Sequence, residues 1–176
     1  VQSHADVHEL EKKPLEYSKC QTINQYWSVV PATDAKPPDG DTCLLPQRAK
    51  PEPAWDTYPW SAAFISYIMH ESGAGNQFIY SGRHAIYIVD SVKNRDIPNY
   101  PFRGYSISEK KPEIGDLICA PREESKNLTY SDILQKGDFK SHCDIVVAKN
   151  ENNKIEVIGG NVGDTVAKTI VLLDSS

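Results

Sequence analysis

Pro59-Trp60-Ser61-Ala62-Ala63-Phe64-Ile65-Ser66-Tyr67-Ile68-Met69-His70-Glu71-Ser72-Gly73 is the most informative run of this sequence. Trp60, Phe64, Tyr67 and Ile68 recur at helical spacing, while Ala62, Ile65 and Met69 cover another face, which predicts a helix over 59–72. A helix that is apolar on several sides is buried. Asp56 or Thr57 can cap it, Pro59 suits its first turn, and Gly73 can end it. Ser61 then falls in the first turn, where unpaired backbone N–H groups and the helix dipole favour developing negative charge.

Downstream, a second helix is predicted from Ser81 through His84, Tyr87, Ile88 and Val92. The pattern then changes to strands. Glu113-Ile114-Gly115-Asp116 reads as a turn feeding Leu117-Ile118-Cys119-Ala120, and 142–148 reads as a second strand. Asn150 to Asn153 turns into a third strand over 154–158, Gly159-Gly160 breaks it, and 166–173 supplies the last. Helices followed by an antiparallel meander define an α+β domain.

Upstream, the first thirty or so residues contain a helix-like segment with Val7, Leu10, Ile23, Tyr26, Trp27 and Val30 as candidate core contacts. His4 and His8 share a helix face at a spacing that can bind zinc, but no third ligand accompanies them, so they read as a solvated face. Pro31 to Pro53 holds half of the prolines and reads as a long loop. The expected organisation is a helical and Pro-rich extension over 1–54 and an α+β core over 55–176, joined in one domain.

A chain of 176 residues is long enough for a real hydrophobic core. Its net charge of −5 leaves no basic stripe to neutralise phosphates or hold an anionic membrane, which argues against a nucleic-acid binder. No apolar run reaches the roughly 18 residues of a membrane-spanning helix, so no membrane span is expected. Cys20, Cys43, Cys119 and Cys143 form no Cys-x-x-Cys pair, which speaks against a zinc ribbon or thioredoxin motif. Cys20 and Cys43 flank a loose loop and are either a disulfide across it or two small buried residues. The sequence starts without Met or a signal-peptide pattern, which fits a mature exported protein or a shortened chain. Asn127-Leu128-Thr129 is a glycosylation sequon, which carries meaning only in a source that glycosylates such sites.

Alternation along Ser141-His142-Cys143-Asp144-Ile145-Val146-Val147 puts Cys143, Ile145 and Val147 on the core face and His142 with Asp144 on the other. Cys143 thus points away from His142 and is a poor nucleophile candidate. Asn161 follows the next strand just past two glycines, within reach of His142. The resulting constellation is a nucleophile at a helix start, Ser61, a base on a strand, His142, and an orienting group, Asn161 or Asp144.

Trp60-Ser61-Ala62-Ala63-Phe64, Gly115-Asp116-Leu117, His142 to Val147 and Val157-Ile158-Gly159-Gly160-Asn161 occur in the order seen in papain-like CHAP and NlpC-type cell-wall amidases, which this chain resembles over about residues 55–173. It resembles still more closely the bacterial family known as domain of unknown function 2272, in Tyr80-Ser81 with His84 and Tyr87, and in Gly159-Gly160-Asn161-Val162 followed by Asp164 and Val166. Two positions depart from the amidases: Ser61 stands where they carry the nucleophilic Cys, and Gly159 where CHAP amidases often carry a catalytic Glu. A serine hydroxyl depends almost wholly on its base, whereas a thiol is partly ionised at neutral pH.

The resemblance implies a papain-like fold, with N-terminal helices packed on an antiparallel sheet. It implies an exported hydrolase of amide bonds in peptidoglycan with Ser61, His142, Asn161 and Asp144 catalytic, and with Trp60, His84 and Tyr87 contacting substrate. No metal or cofactor is implied. Cys119 and Cys143 lie on neighbouring strands in the related folds, as a second bridge or as two buried thiols. The alternative is a binding module that holds a cell-wall fragment, a glycan or a protein partner in the same groove without turnover.

Overall fold

The computed structural model describes residues 17–34 and 58–173. Helix α1 (Tyr17–Ser28) comes first, then α2 (Ser61–Glu71) and α3 (His84–Lys93). Strand β1 (Leu117–Pro121) and the single turn α4 (Ile133–Lys136) lead to β2 (Ser141–Asn150), β3 (Lys154–Val162) and β4 (Thr165–Leu172). The strands form one antiparallel sheet in the order β1-β2-β3-β4. This is the mixed α+β architecture read from the sequence.

The core explains the α2 pattern. Ala62, Ala63, Phe64, Ile65 and Met69 are buried, and Ile65 is fully sealed. Helix α1 supplies Ile23, Trp27 and, just beyond it, Val30 to the same cluster, so residues upstream of 55 are part of this core. Tyr26 stacks on Trp60 at 5.6 Å and meets Phe64 edge-on at 5.3 Å. Burying a Phe or Ile side chain of this kind is worth about 1.5–3 kcal/mol, so this face holds α2 in place. The helix begins at Ser61, two residues later than expected, with no side-chain cap at Trp60. The proposed caps Asp56 and Thr57 lie outside the described residues.

Two boundaries differ from the sequence reading for physical reasons. Helix α3 starts at His84 rather than Ser81, because Ser81-Gly82-Arg83 is held as a turn by Asp34. The Asp34 carboxylate accepts from the Ser81 hydroxyl, from Gly82 N at 3.1 Å and from Arg83 Nε at 3.1 Å. Gly159-Gly160 does not break β3, which continues to Val162. A Cβ at Gly160 would sit 2.6 Å from Phe64 Cβ, and one at Gly159 would lie 1.8 Å from Asp144 Oδ1. The glycines therefore let α2 and a carboxylate approach the strand.

Both hairpins turn on residues with positive φ, the first where the sequence put it and the second at a site it did not single out. Asn152 and Asn153 adopt φ of 63° and 57° between β2 and β3, a conformation that Asn tolerates. Gly163 and Asp164, with φ of 56° and 61°, make the two-residue connection between β3 and β4. Cys119 and Cys143 face each other across β1 and β2 and are joined, so they form a bridge and not two thiols. Cys20 is also disulfide-bonded. Its expected partner Cys43 lies outside the described residues, as do His4, His8 and most of the Pro31–Pro53 loop. Among the described residues no helix is long and apolar enough to cross a membrane, and no cluster of His, Cys, Asp and Glu is arranged to hold a metal.

Candidate functional site

Three elements meet at the start of α2. Ser61 is the first residue of that helix, His84 the first of α3, and His142 the second of β2. Ser61 Oγ lies 2.7 Å from His84 Nε2 in a buried hydrogen bond. The other ring nitrogen, Nδ1, is hydrogen-bonded to the hydroxyl of Tyr87, one turn further along α3. A Ser–His–Tyr chain thus links two helix starts.

The His142 ring stands beside this chain, with its centroid 5.2 Å from that of His84. Its Nε2 is 2.8 Å from Asp144 Oδ1. Asp144 occupies the space that any side chain at position 159 would fill, so Gly159 admits the His142–Asp144 pair. Exposure is low throughout: Ser61 is 9% accessible, and His84, Tyr87 and His142 are each 5%.

Electrostatics keep the chain neutral. Burial, then the neighbouring His142 and Arg122, hold the His84 imidazole well below the usual histidine range. Burial, reinforced by the Asp144 carboxylate, pushes the Tyr87 hydroxyl well above its ordinary value. A neutral imidazole carries one N–H. When Nδ1–H donates to Tyr87, Nε2 is free to accept the Ser61 proton, which is the geometry of a hydroxyl and its base.

The sequence reading paired Ser61 with His142, but the recorded partner of its hydroxyl is His84, which that reading treated as a substrate contact. The physical reason is the α3 start: the Asp34-held turn delivers His84 directly opposite Ser61. Asp144 is the partner of His142, as one of the two alternatives had it. Asn161 lies in the irregular step of the β3–β4 ladder with φ of 58° and makes no hydrogen bond to either histidine among the described residues. Trp60, expected at the substrate, is 2% exposed and packed on Tyr26, inside the core. Its Nε1 has no hydrogen-bond partner among the described residues.

Tyr87 also lines a cavity of about 790 Å³ with Phe78, Ile88, Phe102, Leu117 and Ala120. The space is large enough for a small ligand. Missed by the sequence reading altogether was Asp34, whose carboxylate fixes the turn before His84; an isolated Asp in a Pro-rich stretch carries no pattern that announces such a role.

Fold and site together define a mixed α+β protein whose buried serine, at a helix start, is bonded to a neutral histidine. The chain belongs to the family described as "Uncharacterized protein conserved in bacteria (DUF2272)", whose model matches residues 16–176. It is also similar to a protein named glucokinase from Chelativorans sp. (strain BNC1), with 42% identity over 55 residues. That stretch is 31% of this chain and covers 16% of the glucokinase's length. No solved structure matches.

Proposed function

We propose that this protein is an exported, papain-like hydrolase that cuts amide bonds in peptidoglycan, with Ser61 as nucleophile and His84 as its base. The observation that carries the reading is the buried 2.7 Å contact between Ser61 Oγ and His84 Nε2. The substrate class and the papain-like label rest on the resemblance of Trp60 to Phe64, His142 to Val147 and Gly159-Gly160-Asn161 to cell-wall amidases. The glucokinase likeness spans too little of either chain to suggest phosphoryl transfer.

In the proposed reaction Ser61 Oγ attacks the amide carbonyl carbon while its proton passes to His84 Nε2. Unpaired N–H groups at the start of α2, which no side chain caps, would receive the negative oxygen. The C–N bond then breaks and the leaving amine takes the proton from the His84 imidazolium. Water, deprotonated by the same ring, releases the acyl group and restores the Ser61 hydroxyl. Tyr87 holds the imidazole in orientation through Nδ1, and the His142–Asp144 pair, whose ring lies beside that of His84, would help carry the proton to the amine. Asn161 is left with a part in shaping the strand end. No cofactor or metal is needed in this scheme.

The low exposure of Ser61, His84 and His142 limits the approach of a substrate carbonyl to the hydroxyl, which favours a second reading, a binding module without turnover. A fluorophosphonate probe followed by digestion of purified peptidoglycan separates the two. Labelling of Ser61 together with release of stem-peptide fragments supports the hydrolase; an inert serine and intact sacculi leave the binding module.

A further inference from the structure

We propose that Arg122 is an anion-recognising residue at this site, binding a free carboxylate of the peptide substrate. The inference rests on the hydrolase reading for its substrate class and adds to it a specificity contact.

The geometry comes from the sheet. Ala120 lies opposite His142 in the β1–β2 register. Arg122 continues that ladder: its backbone is extended, at φ −131° and ψ 167°, and its N–H donates to Lys140 O at 2.8 Å. Residues two apart on a strand share a face, and cross-strand partners share it too. The Arg122 side chain therefore emerges on the face that carries His142, one step towards the sheet end. Its positive charge also reaches His84, where it acts after burial and His142 to disfavour protonation of that ring.

The guanidinium makes no hydrogen bond or ion pair of its own among the described residues, although its charge is felt by Glu123. Arg83 is bound to Asp34 and Asp138, Arg95 to Glu109, and Arg103 to backbone carbonyls. Arg122 makes no side-chain hydrogen bond or ion pair among the described residues. The acids nearest in sequence are held by Lys140, which lies 2.6 Å from Glu123 and 3.9 Å from Glu124, and Arg122 adds only a weaker pull on Glu123. Asp144, the carboxylate within the site, is taken by His142. What remains on the His142 face of the sheet, with its charge felt at His84, is an exposed planar cation with a full set of donors, matched to a carboxylate in two-point geometry. Peptidoglycan stem peptides carry such carboxylates.

The test is calorimetric binding to the Ser61→Ala protein, which cannot turn the ligand over by the proposed route. The ligands are stem peptides released from purified peptidoglycan, with carboxylates free or converted to carboxamides. The free acids should bind about tenfold more tightly, the scale of one charge-assisted contact. Adding Arg122→Gln should erase that preference with the melting temperature unchanged, and Arg122→Lys should keep part of it. A preference for the acid that survives Arg122→Gln, or equal binding of acid and amide to the parent protein, overturns the assignment of Arg122. Failure of both forms to bind overturns the peptidoglycan substrate class itself, and the inference with it.

Discussion

Ser61 Oγ and His84 Nε2 lie 2.7 Å apart, although 23 residues separate them in sequence. The contact exists because two helices begin at the same point. Apolar packing against α1 fixes the start of α2, and the Asp34-held turn fixes the start of α3. Removing the ring should therefore matter more for reactivity than for folding. His84→Gln should slow acylation of Ser61 by about 10²–10⁴-fold, the range of a general base. His142→Gln should slow it far less, because His142 is bonded to Asp144 and not to the serine. Rates of fluorophosphonate labelling on both variants check this, and a larger loss for His142→Gln would return the base to the strand histidine.

The pH dependence follows from the lowered His84 value. The neutral ring is the base, and burial together with His142 and Arg122 keeps it neutral below the ordinary range. Acylation should thus hold its plateau as pH drops below about 6.5, the ordinary histidine value, and decline only at lower pH. The same shift bears on stability. The unfolded chain binds the proton before the folded one does, so His84's contribution is full above about 6.5 and falls as pH drops toward the folded value. Melting curves from pH 7 to 5 should show a smaller loss for His84→Gln than for the parent. An equal loss in both would remove His84 from the account of acid sensitivity.

Gly159→Ala tests the space beneath the second pair. The new Cβ would stand 1.8 Å from Asp144 Oδ1 and 3.0 Å from His142 Nε2, so the carboxylate must leave. Overpacking of this kind costs about 1–3 kcal/mol, and the His142–Asp144 bond should be lost with it. Histidine NMR before and after substitution reads the change directly; an undisturbed His142 resonance at unchanged stability would contradict the packing described.

Much of the architecture was legible because it rests on periodicity. The buried face of α2 and the hairpin after Asn150 come from patterns within one element. The alternation along β2 holds for Cys143 and Ile145 but not for Val147, because the strand shifts register between Val146 and Ala148 and Val146 is the buried residue. The Ser61–His84 contact was not legible, since it depends on where two helices start, and that was set by a remote carboxylate in Asp34. Gly159-Gly160 misled for a related reason. A glycine pair inside a strand pattern reads as a break, whereas here each glycine answers an atom from another element. His84 was picked out as a site residue, but its neighbour across space was not readable from its neighbours in sequence.

The Cys119–Cys143 bridge closes a separation of 24 residues between β1 and β2. Restricting the unfolded chain in this way is worth about 3.5 kcal/mol on the loop-entropy account. The double variant Cys119→Ala/Cys143→Ala should melt roughly 10 °C lower, yet label at Ser61 below its melting point, because neither cysteine takes part in the Ser61–His84–Tyr87 hydrogen bonds. Loss of labelling in a folded double variant would tie the bridge to the site.

The central claim is that Ser61 is the reacting group. The direct measurement is mass mapping of the protein after treatment with a fluorophosphonate, alongside His84→Gln and Ser61→Ala. One adduct is expected on Ser61 in the parent, strongly reduced in His84→Gln and absent in Ser61→Ala, with release of stem peptides from purified peptidoglycan lost in parallel. Turnover that survives Ser61→Ala, or an adduct on any other residue, would contradict it.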